Sequence, residues 1–191
     1  MKNKIIIYLA LFSVISSATL KSQAYEKGQF TGDFTTGFLG IYGASNFAVR
    51  SIPLCFAAEY GFHEYLSAGA YASFYSMLYK PSFINAYRIN YIPMGFRASV
   101  HLTDLINQHL NLSLSATEID LYGGAHAGLV FNNSRRWVGN TILVRQSVFP
   151  IVGLYAGARY YFKDNIAGVF EFGATPNGIF NFGLTLRLKG K

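Results

Sequence analysis

The 191-residue sequence predicts an all-β protein, an eight-stranded antiparallel transmembrane up-and-down β-barrel, on three observations. The first is alternation near the C-terminus. In IFNFGLTLRLK, Phe180, Phe182, Leu184, Leu186 and Leu188 fall on one parity, and Asn181, Gly183, Thr185, Arg187 and Lys189 on the other. Period two places alternate side chains on opposite faces of a strand, whereas helical spacing here gathers no apolar face. The second is composition. Aromatic residues make up 17% and charged residues only 13%, with 19 glycines, against about 25% charged in an ordinary soluble domain. The third is an export signal without a later helical span, since no segment beyond it has the run of about 18 apolar residues a transmembrane helix needs.

Residues 1–24 read as a cleaved signal peptide and residues 25–191 as the barrel domain. Lys2 and Lys4 precede the apolar run IIIYLALFSVI, and Ser22-Gln23-Ala24 fits a cleavage site, with Ser16-Ser17-Ala18 as an alternative. Cleavage removes three lysines and no acid, so the net charge falls from +7 to +4. Cys55, the only cysteine, precludes an intramolecular disulfide and reads as a small packing residue.

The strands follow in order. Glu26–Asp33 reads as a lead-in, and strand one as Phe34–Tyr42, with ambiguous parity. Strand two, Ser51–Phe62, sets Glu59 against Leu54, Phe56 and Tyr60, and His63-Glu64 makes a tight turn. Strand three, LSAGAYASFYSML, collects Ser67, Gly69, Tyr71, Ser73 and Tyr75 on one face. Strand four, Tyr87–Leu102, sets Arg97, Ser99 and His101 against Met94, Phe96, Ala98 and Val100. In the connection Asp104–Thr117, DLINQHL suits a short amphipathic helical turn. Strand five, Glu118–Phe131, aligns Asp120, Tyr122, Gly124, His126 and Gly128, and a long polar loop, NNSRRWVGNTILVRQ, follows. Strands six, seven and eight are FPIVGLYAGARYYF, IAGVFEFGA and the closing segment, separated by turn signals at Lys163-Asp164-Asn165 and Thr175-Pro176-Asn177-Gly178.

Charge placement is a separate test. With both ends of the barrel domain on the periplasmic side, Glu26, Asp33, Glu64, Asp104, Glu118 and Asp164 fall in the lead-in or near turns. Glu59, Asp120 and Glu171 fall on inward faces with Arg97, Arg159 and Arg187, a lumen charge network in which Glu171 is expected to bridge Arg159 and Arg187. The outer rim holds Arg50, Lys80, Arg88, Arg135, Arg136 and Arg145 and no acid, a set suited to lipopolysaccharide phosphates, with Trp137 in the interface. A soluble barrel with the apolar face inward is the alternative fold, but its solvated face would carry many Lys and Glu per strand.

GLYAGARYYFKDNIAGVFEFG followed by FNFGLTLRL resembles the C-terminal half of small outer-membrane β-barrel proteins of Gram-negative bacteria, the relatives of the OmpA transmembrane domain, OmpX and the opacity proteins. Gly157, Arg159, Tyr160, Glu171 and Gly183 carry the likeness, and IDLYGGAHAGLVF resembles the fifth strand of that family. The closing strand departs from the pattern: Leu188 is followed by Lys-Gly-Lys, where the family ends in Phe. The resemblance implies a monomer in the outer membrane, placed there by the barrel insertion machinery, with a structural, surface-interaction or adhesion role. A narrow pore and a lipid A-modifying enzyme are the alternatives. His63, His101, His109 and His126 are the only histidines; the first three fall at the periplasmic end, and His126 reads as packed inside the barrel. No catalytic residue, metal site, cofactor or nucleic-acid partner is expected.

Overall fold

The computed structural model describes residues 25–38, 47–49, 51–79, 87–110, 114–115, 117–138 and 141–188. The signal segment, the Lys80 loop and residues 39–42 of the first expected strand lie outside the described residues. The elements are β1 (Phe30–Phe38), β2 (Phe47–Val49), β3 (Leu54–Gly61), β4 (Leu66–Tyr79), β5 (Tyr87–His101), α1 (Thr103–Leu110), β6 (Ile119–Val138), β7 (Thr141–Lys163), β8 (Ile166–Thr175) and β9 (Gly178–Leu188).

The ladders run β1-β3-β4-β5-β6-β7-β8-β9 and return to β1, all antiparallel, so eight strands close a wall without an edge. The short β2 pairs with Met77–Tyr79 of β4, beyond the β3 ladder, and continues that strand of the wall. Closure is what hydrocarbon demands, because a backbone N–H or C=O there has no water to bond.

Burial runs inside out. Phe96 is 76% exposed and Val152 75%, while Arg159 is fully buried. Phe34, Phe56, Phe170, Leu184 and Leu186 join the exposed face, and Glu59, Asp120 and Glu171 the buried one. An apolar surface of this extent is incompatible with water and matches the lipid-facing belt of a transmembrane barrel. The soluble alternative is thereby overturned.

Two boundaries differ from the sequence reading, and both matter. The first strand starts at Phe30, so Asp33 is not in a lead-in: it lies within β1, buried between Thr31 and Thr35, while Phe30, Phe34 and Phe38 face lipid. The stretch NNSRRWV is not loop but the end of β6, and TILVRQ opens β7; the ladder continues to Val138↔Thr141. Beyond the membrane both faces of a strand meet water, so apolar alternation stops although pairing does not.

The wall is therefore lopsided. β8 and β9 have 10 and 11 residues, whereas β6 and β7 have 20 and 23. The β8–β9 connection is tight: Thr175 Oγ1 accepts from Gly178 N at 3.2 Å and donates to Gly178 O, and Gly178 has φ 151°, which favours glycine. At the opposite end α1 is tied to the barrel, with Leu121 N donating to Thr103 Oγ1 at 2.7 Å.

Close approach constrains the seam that closes the barrel. A Cβ at Gly183 would sit 1.9 Å from Phe34 O and 2.8 Å from Thr35 Cα, whereas at Gly32 the nearest atom is 3.9 Å away. Gly183→Ala is expected to cost about 1–3 kcal/mol, read as a lower unfolding temperature in heat-modifiable gel migration. Gly32→Ala should leave that temperature nearly unchanged.

Candidate functional site

The lumen is filled by a stack of polar side chains. β7 presents Arg159 inward, where it donates from Nη2 to Asp33 Oδ2 at 2.7 Å and from Nη1 to Asp120 Oδ2 at 2.9 Å. Thr185 donates to the other Asp33 oxygen at 2.6 Å. The Arg159 guanidinium also lies 4.2 Å from the centre of the Tyr122 ring. One level along the axis, β5 presents Arg97, which reaches Glu59 Oε1 at 2.7 Å and Glu171 Oε1 at 2.6 Å and lies 4.4 Å from the Tyr155 ring centre. Tyr122 donates to Glu171 at 3.0 Å, and Ser99 to Glu59 at 2.9 Å. Each ion is thus hydrogen-bonded as well as paired, the condition for keeping charge out of water.

The six residues expected to form a lumen network, Glu59, Arg97, Asp120, Arg159, Glu171 and Arg187, are all buried on the inward face. The expected bridge from Glu171 to Arg159 and Arg187 is overturned. Glu171 stands opposite Gly157 and Asn181, whereas Arg159 stands opposite Val169 and Arg187 opposite Thr31. The partner of Glu171 is Arg97, reached across the lumen. Arg187 sits nearer the termini, donating to the Asp164 carbonyl at 2.9 Å through Nε and lying 4.2 Å from the Tyr161 ring centre. The partnerships of Asp33, Ser67, Ser99 and Thr185 were missed; a Thr on either side of Asp33 at spacing two was the available signal.

Towards the termini, Ser67 Oγ lies 3.0 Å from His101 Nε2, and His101 Nδ1 lies 2.7 Å from Asp120 Oδ1. These are the distances of a Ser–His–Asp triad. The chemistry is different. Ser67 donates its one proton to Glu59 at 2.5 Å, so towards His101 it can only accept. Tyr25 stacks on His101 with ring centres 3.4 Å apart, and the cavity beside them is about 10 Å³, room for about one water. The cavity on the Tyr25 side of His101 has no room for an acyl group. Burial, then Asp120 and Glu59, hold the Tyr25 phenol well above its ordinary range, so it stays a donor to the His63 and Leu66 carbonyls at 2.9 and 2.5 Å. Tyr25 thereby corks this end.

Towards the other end, His126 donates from Nε2 to the Ala174 carbonyl at 2.7 Å and faces Tyr71 through Nδ1 at 3.3 Å. Ser73 bonds Asn177. Above this level Tyr75, Met77, Tyr91 and Val130 form an apolar layer against Ile89 and Ile151. The cavity beneath it, between Arg97, His126 and Asn181, is also about 10 Å³.

The rim residues divide. Arg88 and Arg135 are directly opposite each other on the lipid-facing side of β5 and β6. Arg136 and Arg145 have the parity of Asp120 and His126 and so stand on the other face. Arg50, Lys80 and the Trp137 side chain lie outside what is described.

Ladder closure, inside-out burial and a filled polar lumen together define a small transmembrane β-barrel of the outer-membrane type. No protein-family model and no curated protein matches the chain. Solved structures similar to it include Ail, the attachment invasion locus protein of Yersinia pestis, at 12% identity and TM-score 0.46, covering 85% of this chain and 99% of that one. The N-terminal β-barrel domain of Pseudomonas aeruginosa OprF matches at 11% identity and TM-score 0.44, covering 86% and 100%. Neisserial surface protein A matches at 12% identity and TM-score 0.40, covering 84% and 94%.

Arg159→Leu strands Asp33 and Asp120 in the interior and is expected to cost about 3–5 kcal/mol, read as a lower urea midpoint in detergent. The parent protein is expected to give no steady single-channel conductance in planar bilayers, because side chains fill the lumen from Tyr25 to Val130.

Proposed function

We propose that this chain is an outer-membrane surface-interaction protein, exported by its signal peptide and inserted as a monomer by the barrel insertion machinery, which displays the β6–β7 hairpin to extended polypeptide segments outside the cell. In this orientation the corked end with both barrel termini faces the periplasm, and the basic, acid-free end faces outward.

One observation carries the reading. From Thr141 to Ser147, beyond the apolar row that ends at Val148, β7 has β6 on one side, while its ladder with β8 starts only at Tyr155↔Gly173. The far edge of those residues has no strand partner among the described residues. Natural proteins blunt such edges with charge, proline or cover, because an open edge templates pairing with another chain. Here Ile142, Leu143 and Val144 are each more than half exposed, and Arg145 is the only charged residue from Thr141 to Ser147. An edge both open and apolar suits strand addition: main-chain hydrogen bonds supply attraction and alternate side chains supply selectivity. The filled lumen makes a rigid base for it, which favours display over transport.

The test uses protein in nanodiscs and a permanently unfolded probe, reduced and carboxymethylated α-lactalbumin. Binding is expected, with protection of amides in 141–147 by hydrogen exchange. Ile142→Lys with Val144→Lys should weaken it about tenfold, with unchanged heat-modifiable migration. Absence of protection in the parent, or equal binding by the variant, overturns the reading.

A further inference from the structure

The geometry points to a binding site for the phosphate of a membrane lipid on the outer wall, formed by Arg88 and Arg135 just above the apolar belt. The surface of β4 to β7 changes in rows. The last apolar row contains Ile92, Phe131 and Val148, matched across the ladders. The next is Ser76, Asn90, Asn133 and Gln146, uncharged and polar. The row after that is Leu78, Arg88, Arg135 and Val144. On β5 and β6 the order is apolar, polar, then cationic, as a bilayer presents tails, ester region and phosphates, with Leu78 and Val144 flanking the two arginines.

Height agrees with that order. Four residues separate Ile92 from Arg88. At about 3.4 Å per residue and a tilt of about 45°, the guanidinium bases stand about 10 Å above the belt, within side-chain reach of head-group phosphates.

The arginine pair itself is the stronger argument. Directly opposed residues on one sheet face have Cβ atoms about 4.5–5.5 Å apart, and like charges placed so repel. Among the described residues no carboxylate pairs with either arginine: the Arg135 side chain has no hydrogen bond or ion pair there, and the Arg88 side chain reaches only Ser76 Oγ, through Nε at 3.5 Å. The sequence holds no acid between Glu64 and Asp104 or between Asp120 and Asp164, so no loop at this end can supply one. The Ser76 contact uses Nε of Arg88 alone, and Ser76 in turn donates to Asn90 at 2.8 Å. Two planar forks side by side match the oxygens of one phosphate, which turns their repulsion into attraction for that anion. The occupant is a lipid of the leaflet at this end whose phosphate is a monoester with no tethered cation, unlike the zwitterionic phosphodiester of phosphatidylcholine, since the pair faces outward over lipid and not into the lumen. The site lies on β5 and β6, with Val144 of the β7 edge opposite Arg135, and its test does not rest on peptide binding at that edge.

The experiment compares the parent, Arg88→Gln with Arg135→Gln, and a control, Arg136→Gln with Arg145→Gln, which alters the opposite face. Each is reconstituted in phosphatidylcholine vesicles with or without a minority of lipid A, a lipid bearing phosphate monoesters. Heat-modifiable migration reports unfolding. The parent is expected to unfold on the order of 5 °C higher when lipid A is present. The Arg88/Arg135 variant should lose that rise, while in phosphatidylcholine alone it should match or exceed the parent, since its repulsion is gone. The control should keep the rise. The proposal is overturned if the Arg88/Arg135 variant keeps the rise, or if the control loses it equally. It is also overturned if millimolar inorganic phosphate in neutral detergent reproduces the rise in the parent, which would mean an adventitious ion only.

Discussion

A backbone N–H or C=O within a hydrocarbon layer must find a partner in the protein, and the rest of this structure follows from that one requirement. It forces β1 to pair with β9, which closes the eight strands into a ring. Closure encloses a lumen, and eight strands make one about wide enough for side chains to fill. The filling can be polar only if every charge inside has a partner. Arg159 and Arg97 meet that condition by sharing Asp33, Asp120, Glu59 and Glu171 between them.

Above the belt the requirement lapses, and the architecture changes character there. β6 and β7 keep their ladder to Val138↔Thr141 but lose the neighbour that would complete the wall on the β8 side. Water can satisfy that edge, so the cost of leaving it open is small. A structural economy at belt height thus coexists with an unprotected strand outside it.

Sequence reading captured whatever the membrane enforces. Phe170 and Phe172 against Glu171, or Phe96 against Arg97, alternate because one face meets lipid and the other the lumen. Where the enforcement ends, so did legibility. Asn132 to Val138 carries no apolar alternation and was read as loop, although its pairing is continuous. Asp33 reads as outside because the inward face of β1 begins Thr-Asp-Thr, with no aromatic residue and its one glycine, Gly37, only at the far end. The partner of Glu171 was misassigned for a different reason. Alternation gives the face of a residue but not its height, and height depends on the stagger between strands, which only the closed barrel sets.

The Arg159 contacts have a meaning for assembly as well. Asp120 lies opposite Arg159 on the adjacent strand, so that pair forms as soon as the β6–β7 hairpin does. Asp33 is 126 residues away in sequence and arrives only when β1 docks on β9. A barrel still open at that seam would hold unpaired edges of β1 and β9 and a carboxylate not yet joined to its guanidinium. Sealing the wall and neutralising its interior are therefore one event, and a half-zipped barrel has no resting place within the bilayer.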